Sequence, residues 1–235
     1  MESSVAASRV VVVTGAAQRI GRSIALHLAA HGWQVAVHYR QSADAAAQTV
    51  ATIRAAGGQA QAFAADLAQE AECEALLPAV QRALGRVDAV VNNASLFEYD
   101  DVTDFRYDTL DRHWRANTAP AIVLARALHR AGGGVVVNLL DQKLWNPNPD
   151  YLSYSLSKAA LEAATTLLAP ALPPTRRVCG AAPGETLLSG AMSDEEFSAA
   201  HRMTPLQRGA TPDDVARAVR FLLESPAITG TTLLV

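Results

Sequence analysis

The 235-residue chain carries 20 Lys and Arg against 23 Asp and Glu, a formal net charge of −3, with half its residues apolar and 18% charged. That size and balance suit one large α/β domain that buries its core without staples, better than two small domains. No basic block offers a nucleic-acid footprint, no apolar run approaches the ~18 residues of a membrane span, and Cys73 and Cys179 stand apart, with neither CxxC nor metal-ligand spacing.

The N-terminus, MESSVAASRV, has an early acid and no long apolar stretch. It is a poor signal peptide, so a cytoplasmic location is expected. Arg9 to Val13, RVVVV, is a β-branched run before a glycine and reads as a fully buried strand. Ile20, Ile24, Leu28 and Trp33 follow at roughly helical spacing, and Gly32 fits the end of that helix. WQVAVHY reads as a second strand, residues 43–56 as an alanine-rich helix stopped by Gly57 and Gly58, and QAFAAD as a third strand. Residues 69–84 read as a helix stopped by Gly85, and VDAVVNNA as a fourth strand with an abrupt polar end. One long helix is expected over 107–130, a fifth strand at GGGVVVNLL and a second long helix over 152–169. RRVCGAA is a sixth strand, 212–223 a late helix and TTLLV a last strand. The sequence stops there, which is compatible with missing terminal residues. Pro147, Pro149 and the Pro173-Pro174 pair punctuate loops. Strand and helix alternate throughout, which predicts a parallel sheet covered on both faces. Right-handed crossovers make it doubly wound, a Rossmann-like α/β fold in one domain over 1–235.

TGAAQRIG, Thr14 to Gly21, lies between the first strand and the first helix, where a dinucleotide's pyrophosphate meets a helix N-terminus. Gly15 permits the tight turn and Gly21 close packing. Arg19 holds the middle position, often glycine, and brings a fixed positive charge towards phosphates or a substrate edge. At the end of the second strand, HYRQS, no acid awaits a ribose 2′-hydroxyl; Arg40 and Ser42 offer a cation and a hydroxyl instead. That favours NADP(H) over NAD.

NLLDQ ends the fifth strand on Asp141, and thirteen residues on comes YSLSK. Tyr154 and Lys158, at i and i+4, share a helix face. An ammonium beside a phenol lowers the phenol's pKa from about 10, which would make Tyr154 a usable general acid. Asp141 either orients that acid and relays protons or merely caps the following loop. His27 and His31, also four apart, lack the glutamate of a zinc helix, and no metal is expected. SDEEF, Ser193 to Phe197, reads as a helix start in a flexible flap, and Trp145 is open to lining the pocket or packing in a loop.

Nearly the whole chain resembles the short-chain dehydrogenase/reductase family. The matching pieces are TGAAQRIG, ADL at Ala65 to Leu67, NNAS at Asn92 to Ser95, Asn117, YSLSK and Pro183-Gly184. That family usually places a serine where Asp141 stands. Arg19 in the turn, Asp141, and Ser95 and Phe97 in NNASLF resemble its pteridine reductase branch. The resemblance implies that Arg19 touches both pyrophosphate and pterin, and that Phe97 sandwiches the pterin against the nicotinamide. Ser95 would hydrogen-bond pterin or cofactor. Asp66 and Leu67 would line the adenine pocket, and Asn93 and Ala94 would run along the cofactor. Asn117, in the long helix, would link Lys158 to solvent through water, and Lys158 would hold the nicotinamide ribose. Ile20, His38, Tyr39, Pro183, Gly184 and Thr186 complete the expected cofactor surface. Glu185 departs from the apolar residue that often follows the Pro-Gly pair. The expectation is an NADPH-dependent pterin or dihydropterin reductase, possible on dihydrofolate also, and a homotetramer. The alternatives are a ketone or 3-oxoacyl reductase and a non-catalytic NADP-binding sensor or scaffold.

Overall fold

The computed structural model describes residues 8–172, 176–188 and 192–235. The Pro173-Pro174 pair and the first seven residues lie outside them. A seven-stranded sheet runs β3-β2-β1-β4-β5-β6-β7, with every neighbouring pair parallel. Its strands are β1 (Arg9–Val13), β2 (Trp33–Tyr39), β3 (Ala60–Ala64), β4 (Ala89–Asn92), β5 (Val135–Leu139), β6 (Arg177–Ala182) and β7 (Thr232–Leu234).

The valine run of β1 lies at the centre, and both its faces are buried. Val11 and Val13 pack with Ile24, Leu28, Val35, Val37, Val215 and Val219 on one side. Val10 and Val12 pack with Leu76, Leu77, Val80, Leu124 and Leu128 on the other. A strand covered on both faces needs a continuous apolar run, and the sequence supplies one. The first cluster is closed by α1 (Arg19–Ala30), α2 (Ala43–Ala55) and α8 (Pro212–Glu224). The second is closed by α3 (Glu70–Leu84) and α5 (Ala119–Arg130). α6 (Leu152–Ala171) lies against β6 and α5, and α7 (Asp194–Met203) follows the Pro183-Gly184 corner. The strand order reverses between β2-β1 and β4, which opens a crevice at the C-terminal strand ends, where ligands bind in sheets of this kind.

The long helix expected over 107–130 is interrupted. α4 (Tyr107–His113) passes through a π-turn at Trp114–Thr118 before α5 begins. Such turns insert one extra residue without ending the helix, so the apolar spacing shifts by one residue across it. The third strand also stops at Ala64, short of Asp66, and the fourth at Asn92, short of Ala94. In both, the last residues leave the ladder to line the crevice.

Candidate active site

An open cleft of about 1390 Å³ follows the crevice from the phosphate turn to α6 and α7. The turn is built by mutual bracing with the end of β4. The Thr14 hydroxyl oxygen accepts from the backbone N–H groups of Asn93 (2.8 Å) and Ala94 (2.9 Å), and Asn93 Nδ2 donates back to the carbonyls of Thr14 and Gly15. Gly15 has φ +62°, and a Cβ on Gly21 would stand 2.2 Å from the Gly15 carbonyl oxygen. Gly21 is thus required by the turn folding back on itself rather than by helix–sheet packing. Arg19 takes φ +53°, which explains why glycine often occupies this position. Its guanidinium donates to the Leu188 carbonyl at 2.9 Å and bridges the turn to the segment after Gly184.

His38 is 2% exposed and sits beneath the turn. Its Nδ1 accepts from the Gly15 N–H at 3.0 Å, so Nε2 carries the proton and donates to the Ala65 carbonyl. Burial lowers its pKa, which keeps it the neutral ring this pair of bonds requires. Arg40 and Ser42 flank the cleft mouth, and no acid lies between them. Among the described residues, Arg40 has no ion-pair partner.

At the other end, Tyr154 donates its hydroxyl to Asp141 Oδ2 at 2.7 Å, while Asp141 Oδ1 accepts the Lys143 N–H at 2.8 Å. One oxygen therefore caps the turn Gln142–Leu144 and the other faces the phenol. The expected lowering of the Tyr154 pKa is reversed. Burial, then the Asp141 charge and hydrogen bond, push it well above the usual 10. Lys158 is 3% exposed and gives its Nζ to the Leu139 carbonyl at 2.7 Å. Its ammonium stands 5.7 Å from the Tyr154 ring centre.

Burial lowers the Lys158 pKa from 10.5 to about 8, with Asp141 opposing the shift. Between those values the unfolded chain binds the proton and the folded chain releases it. Stability therefore rises with pH across that window. Thermal melts of the cofactor-free protein should show the parent gaining stability relative to Lys158→Met between about pH 8 and pH 10.5. A constant difference between the two would overturn the assignment.

Aromatic rings form one wall. Phe97 stacks on Tyr151 at 4.1 Å and 11°, and meets Tyr154 edge-on at 4.7 Å. Tyr99 adds an edge to Tyr151 at 5.2 Å. The loop carrying Phe97 and Tyr99 is tied to the start of α6 by Asp100, 2% exposed, whose carboxylate accepts from the backbone N–H and hydroxyl of Ser153.

Residues 15–235 match the family model described as Enoyl-(Acyl carrier protein) reductase. A short-chain type dehydrogenase/reductase of Picea abies is 32% identical, over 91% of this chain and 85% of that relative. The chain belongs to the short-chain dehydrogenase/reductase family. A 3-oxoacyl-[acyl-carrier-protein] reductase of Synechocystis is 30% identical, over 96% of this chain and 94% of that relative. The crystal structure of FolM Alternative dihydrofolate reductase 1 from Brucella canis, complexed with NADP, superimposes with a TM-score of 0.92 at 38% identity, covering 97% of this chain and 92% of that one.

Against the expectations for this family, most site residues line the cleft: Gly15, Arg19, Ile20, Gly21, His38, Tyr39, Arg40, Ser42, Asp66, Leu67, Asn93, Ala94, Ser95, Phe97, Asp141, Tyr154, Gly184 and Thr186. Three do not. Pro183 is buried behind the wall, its carbonyl accepting the Gln142 N–H. Lys158 lies beneath the surface. Asn117 sits in the π-turn, and its amide is saturated: Oδ1 accepts from Leu96 N–H and the Ser95 hydroxyl, and Nδ2 donates to the Leu96 carbonyl and the Ser157 hydroxyl. Its side chain fixes the Ser95–Leu96 loop. The Ser95 hydroxyl is likewise turned towards Asn117 and the Leu96 carbonyl rather than into the cleft. Trp145, 45% exposed, does not line the cleft. SDEEF opens α7 with a capping box between Ser193 and Glu196. His27 has its pKa lowered, first by burial and then by His31, with Asp213 opposing the shift. Among the described residues no group of side chains could hold a metal ion, and no helix is long and apolar enough to cross a membrane.

Proposed function

We propose that this chain is an NADPH-dependent reductase of pterins or dihydropterins. The observation that carries the reading is the 2.7 Å hydrogen bond from Tyr154 to Asp141, an acid standing where the family usually has a serine. The likeness to the solved FolM Alternative dihydrofolate reductase 1 supports the same ring class. The cleft fits the cofactor: the tight turn that Gly15 and Gly21 allow brings the N-terminus of α1 to the cleft, where phosphate binds, and Arg40 and Ser42 suit a 2′-phosphate. When bound, NADPH supplies the hydride to a ring carbon.

The chain's own residues handle the proton. Tyr154, held neutral by burial and by Asp141, keeps its proton until an adjacent ring nitrogen accepts it. The Lys158 charge then offsets the phenolate that forms. Asp141, part-exposed on the cleft wall, accepts the phenol's hydrogen bond and passes a solvent proton back. A ketone needs one proton on one oxygen, and a hydroxyl suffices to orient it. Protonation at a ring nitrogen gives an acid at this place its use. NADPH oxidation with dihydrobiopterin, set beside a panel of ketones and 3-oxoacyl thioesters, tests the reading. Turnover of the carbonyl compounds alone would replace it with a carbonyl reductase, and no turnover at all with a sensor.

Arg40→Ala should weaken NADPH far more than NADH. A charge-assisted contact to phosphate contributes about 1.5–3 kcal/mol, or roughly ten- to a hundredfold in affinity. Equal Michaelis constants for the two cofactors in the parent would sink the preference.

The same reading includes a homotetramer. Leu156 (45% exposed) and Leu167 (69%) on α6 leave an apolar surface outside the core. Sedimentation should give a tetramer at micromolar concentration, and a monomer there would refute it.

A further inference from the structure

Lys143 stands two residues past Asp141, in the turn Gln142–Leu144, whose first two residues line the cleft. Its side chain is only 16% exposed, unusual for a lysine without a role. Three bonds fix it. Its backbone N–H holds Asp141 Oδ1, and its ammonium donates to both the carbonyl and the carboxylate of Asp150. The ammonium also lies 5.5 Å from the centre of the Tyr151 ring, which follows Asp150 directly.

Tyr151 is itself constrained. It takes φ +53°, a region that bulky side chains rarely adopt and that persists only where surroundings over-determine it. Lys143 supplies part of that surrounding twice, by anchoring the preceding residue and by placing a cation near the ring. The Tyr151 ring in turn covers one face of Phe97, stacked at 4.1 Å. Phe97 still has 41% of its surface open, and it lines the cleft. Tyr154 meets the same ring edge-on, so the part of Phe97 that the two tyrosines leave open is what it offers to a ligand.

We propose that Lys143 is a positioning residue for substrate, acting through Tyr151 to hold the Phe97 ring flat against the place of a planar heterocycle. The turn that fixes Asp141 for the proton thus also fixes the wall on which the ring stacks. For its substrate, though not for its geometry, the proposal rests on the pterin reading. A methionine would match the length of the lysine stem but would neither anchor Asp150 nor attract the ring face. The Asp141 cap, made by backbone, would survive that change.

The test uses Lys143→Met, Tyr151→Leu and the double variant, assayed with NADPH and dihydrobiopterin. Lys143→Met should raise the pterin KM about three- to tenfold, the loss expected when an aromatic stack is loosened. The kcat and the NADPH KM should stay near parental values. In the Tyr151→Leu background, Lys143→Met should add nothing further, because the path through Tyr151 is already cut. Additive losses would show that Lys143 touches substrate directly and would overturn the proposal, as would an unchanged pterin KM. Parallel loss of NADPH affinity and kcat would show a general structural role and would also overturn it. If Lys143→Met does not fold, Asp150→Asn weakens the same anchor and carries the same comparison. Crystal structures of parent and Lys143→Met check the geometry whatever the substrate: the Phe97–Tyr151 stack should persist in the parent and splay in the variant. A parent inactive on dihydrobiopterin refutes the pterin reading, whereas a stack that survives in Lys143→Met refutes the inference.

Discussion

Tyr154→Phe is expected to slow dihydropterin reduction by roughly 10²–10⁴, the usual worth of a positioned general acid. The substitution removes one oxygen and keeps the ring that meets Phe97 edge-on. It also leaves Asp141 Oδ2 without the phenol donor it now has at 2.7 Å. NADPH affinity should hold, since the phosphate turn is braced by Thr14, His38 and Asn93, none of which touches Tyr154. Single-turnover reduction with pre-bound NADPH measures the step without product release. Because burial and Asp141 hold the phenol pKa well above 10, the parent's proton-donating form should persist into alkaline solution. Activity lost on titration near neutral pH would therefore belong to another group. A Tyr154→Phe variant that retained the parental rate would remove tyrosine from the chemistry.

The sheet is legible in the sequence because its physics is local. Four valines in succession can be satisfied only where both faces of a strand are covered, and the structure buries them so. The phosphate turn is legible for the same reason, since a tight turn at Gly15 is a local demand. What escapes is set by partners distant along the chain. The π-turn at Trp114–Thr118 does not end the helix and so carries no stop signal, while Asn117 within it holds Leu96, which belongs to another loop. The sequence shows a lysine four residues after Tyr154. It does not show that the ammonium goes to Leu139, or that burial and then Asp141 raise the phenol pKa. Tyr151 is visible as the first tyrosine of YLSY, three residues before Tyr154, and that repeat is a usable signal. Its stacking on Phe97, like the capping of Ser153 by Asp100, depends on the loop after β4 folding over α6. Buried chains such as Asn92 to Asn138 to Thr165, which tie β4 and β5 to α6, leave no sequence pattern of their own.

Asp141→Ser should restore the residue usual in the family and yet lose dihydropterin reduction. Its two oxygens have separate duties, and the substitution separates them. A serine can still accept the Lys143 N–H as a turn cap, so that bond and the local fold should survive. A serine at that position cannot at the same time present a second, charged acceptor to Tyr154. If the aspartate relays the proton, the rate should fall roughly 10²–10⁴, whereas loss of a cap alone would cost stability and little rate. The direction of the Tyr154 shift gives an independent readout. Removing the Asp141 charge and hydrogen bond removes two of the three influences that raise the phenol pKa, leaving burial alone. The phenol of Asp141→Ser should therefore ionise at lower pH than that of the parent, which an ultraviolet phenolate titration against Tyr154→Phe can follow. The rate losses of Asp141→Ser and Tyr154→Phe should not add in the double variant if the pair acts as one proton-delivering unit. Parental single-turnover rates in Asp141→Ser would leave the aspartate a turn cap, and the pterin assignment would then lose the observation that carries it.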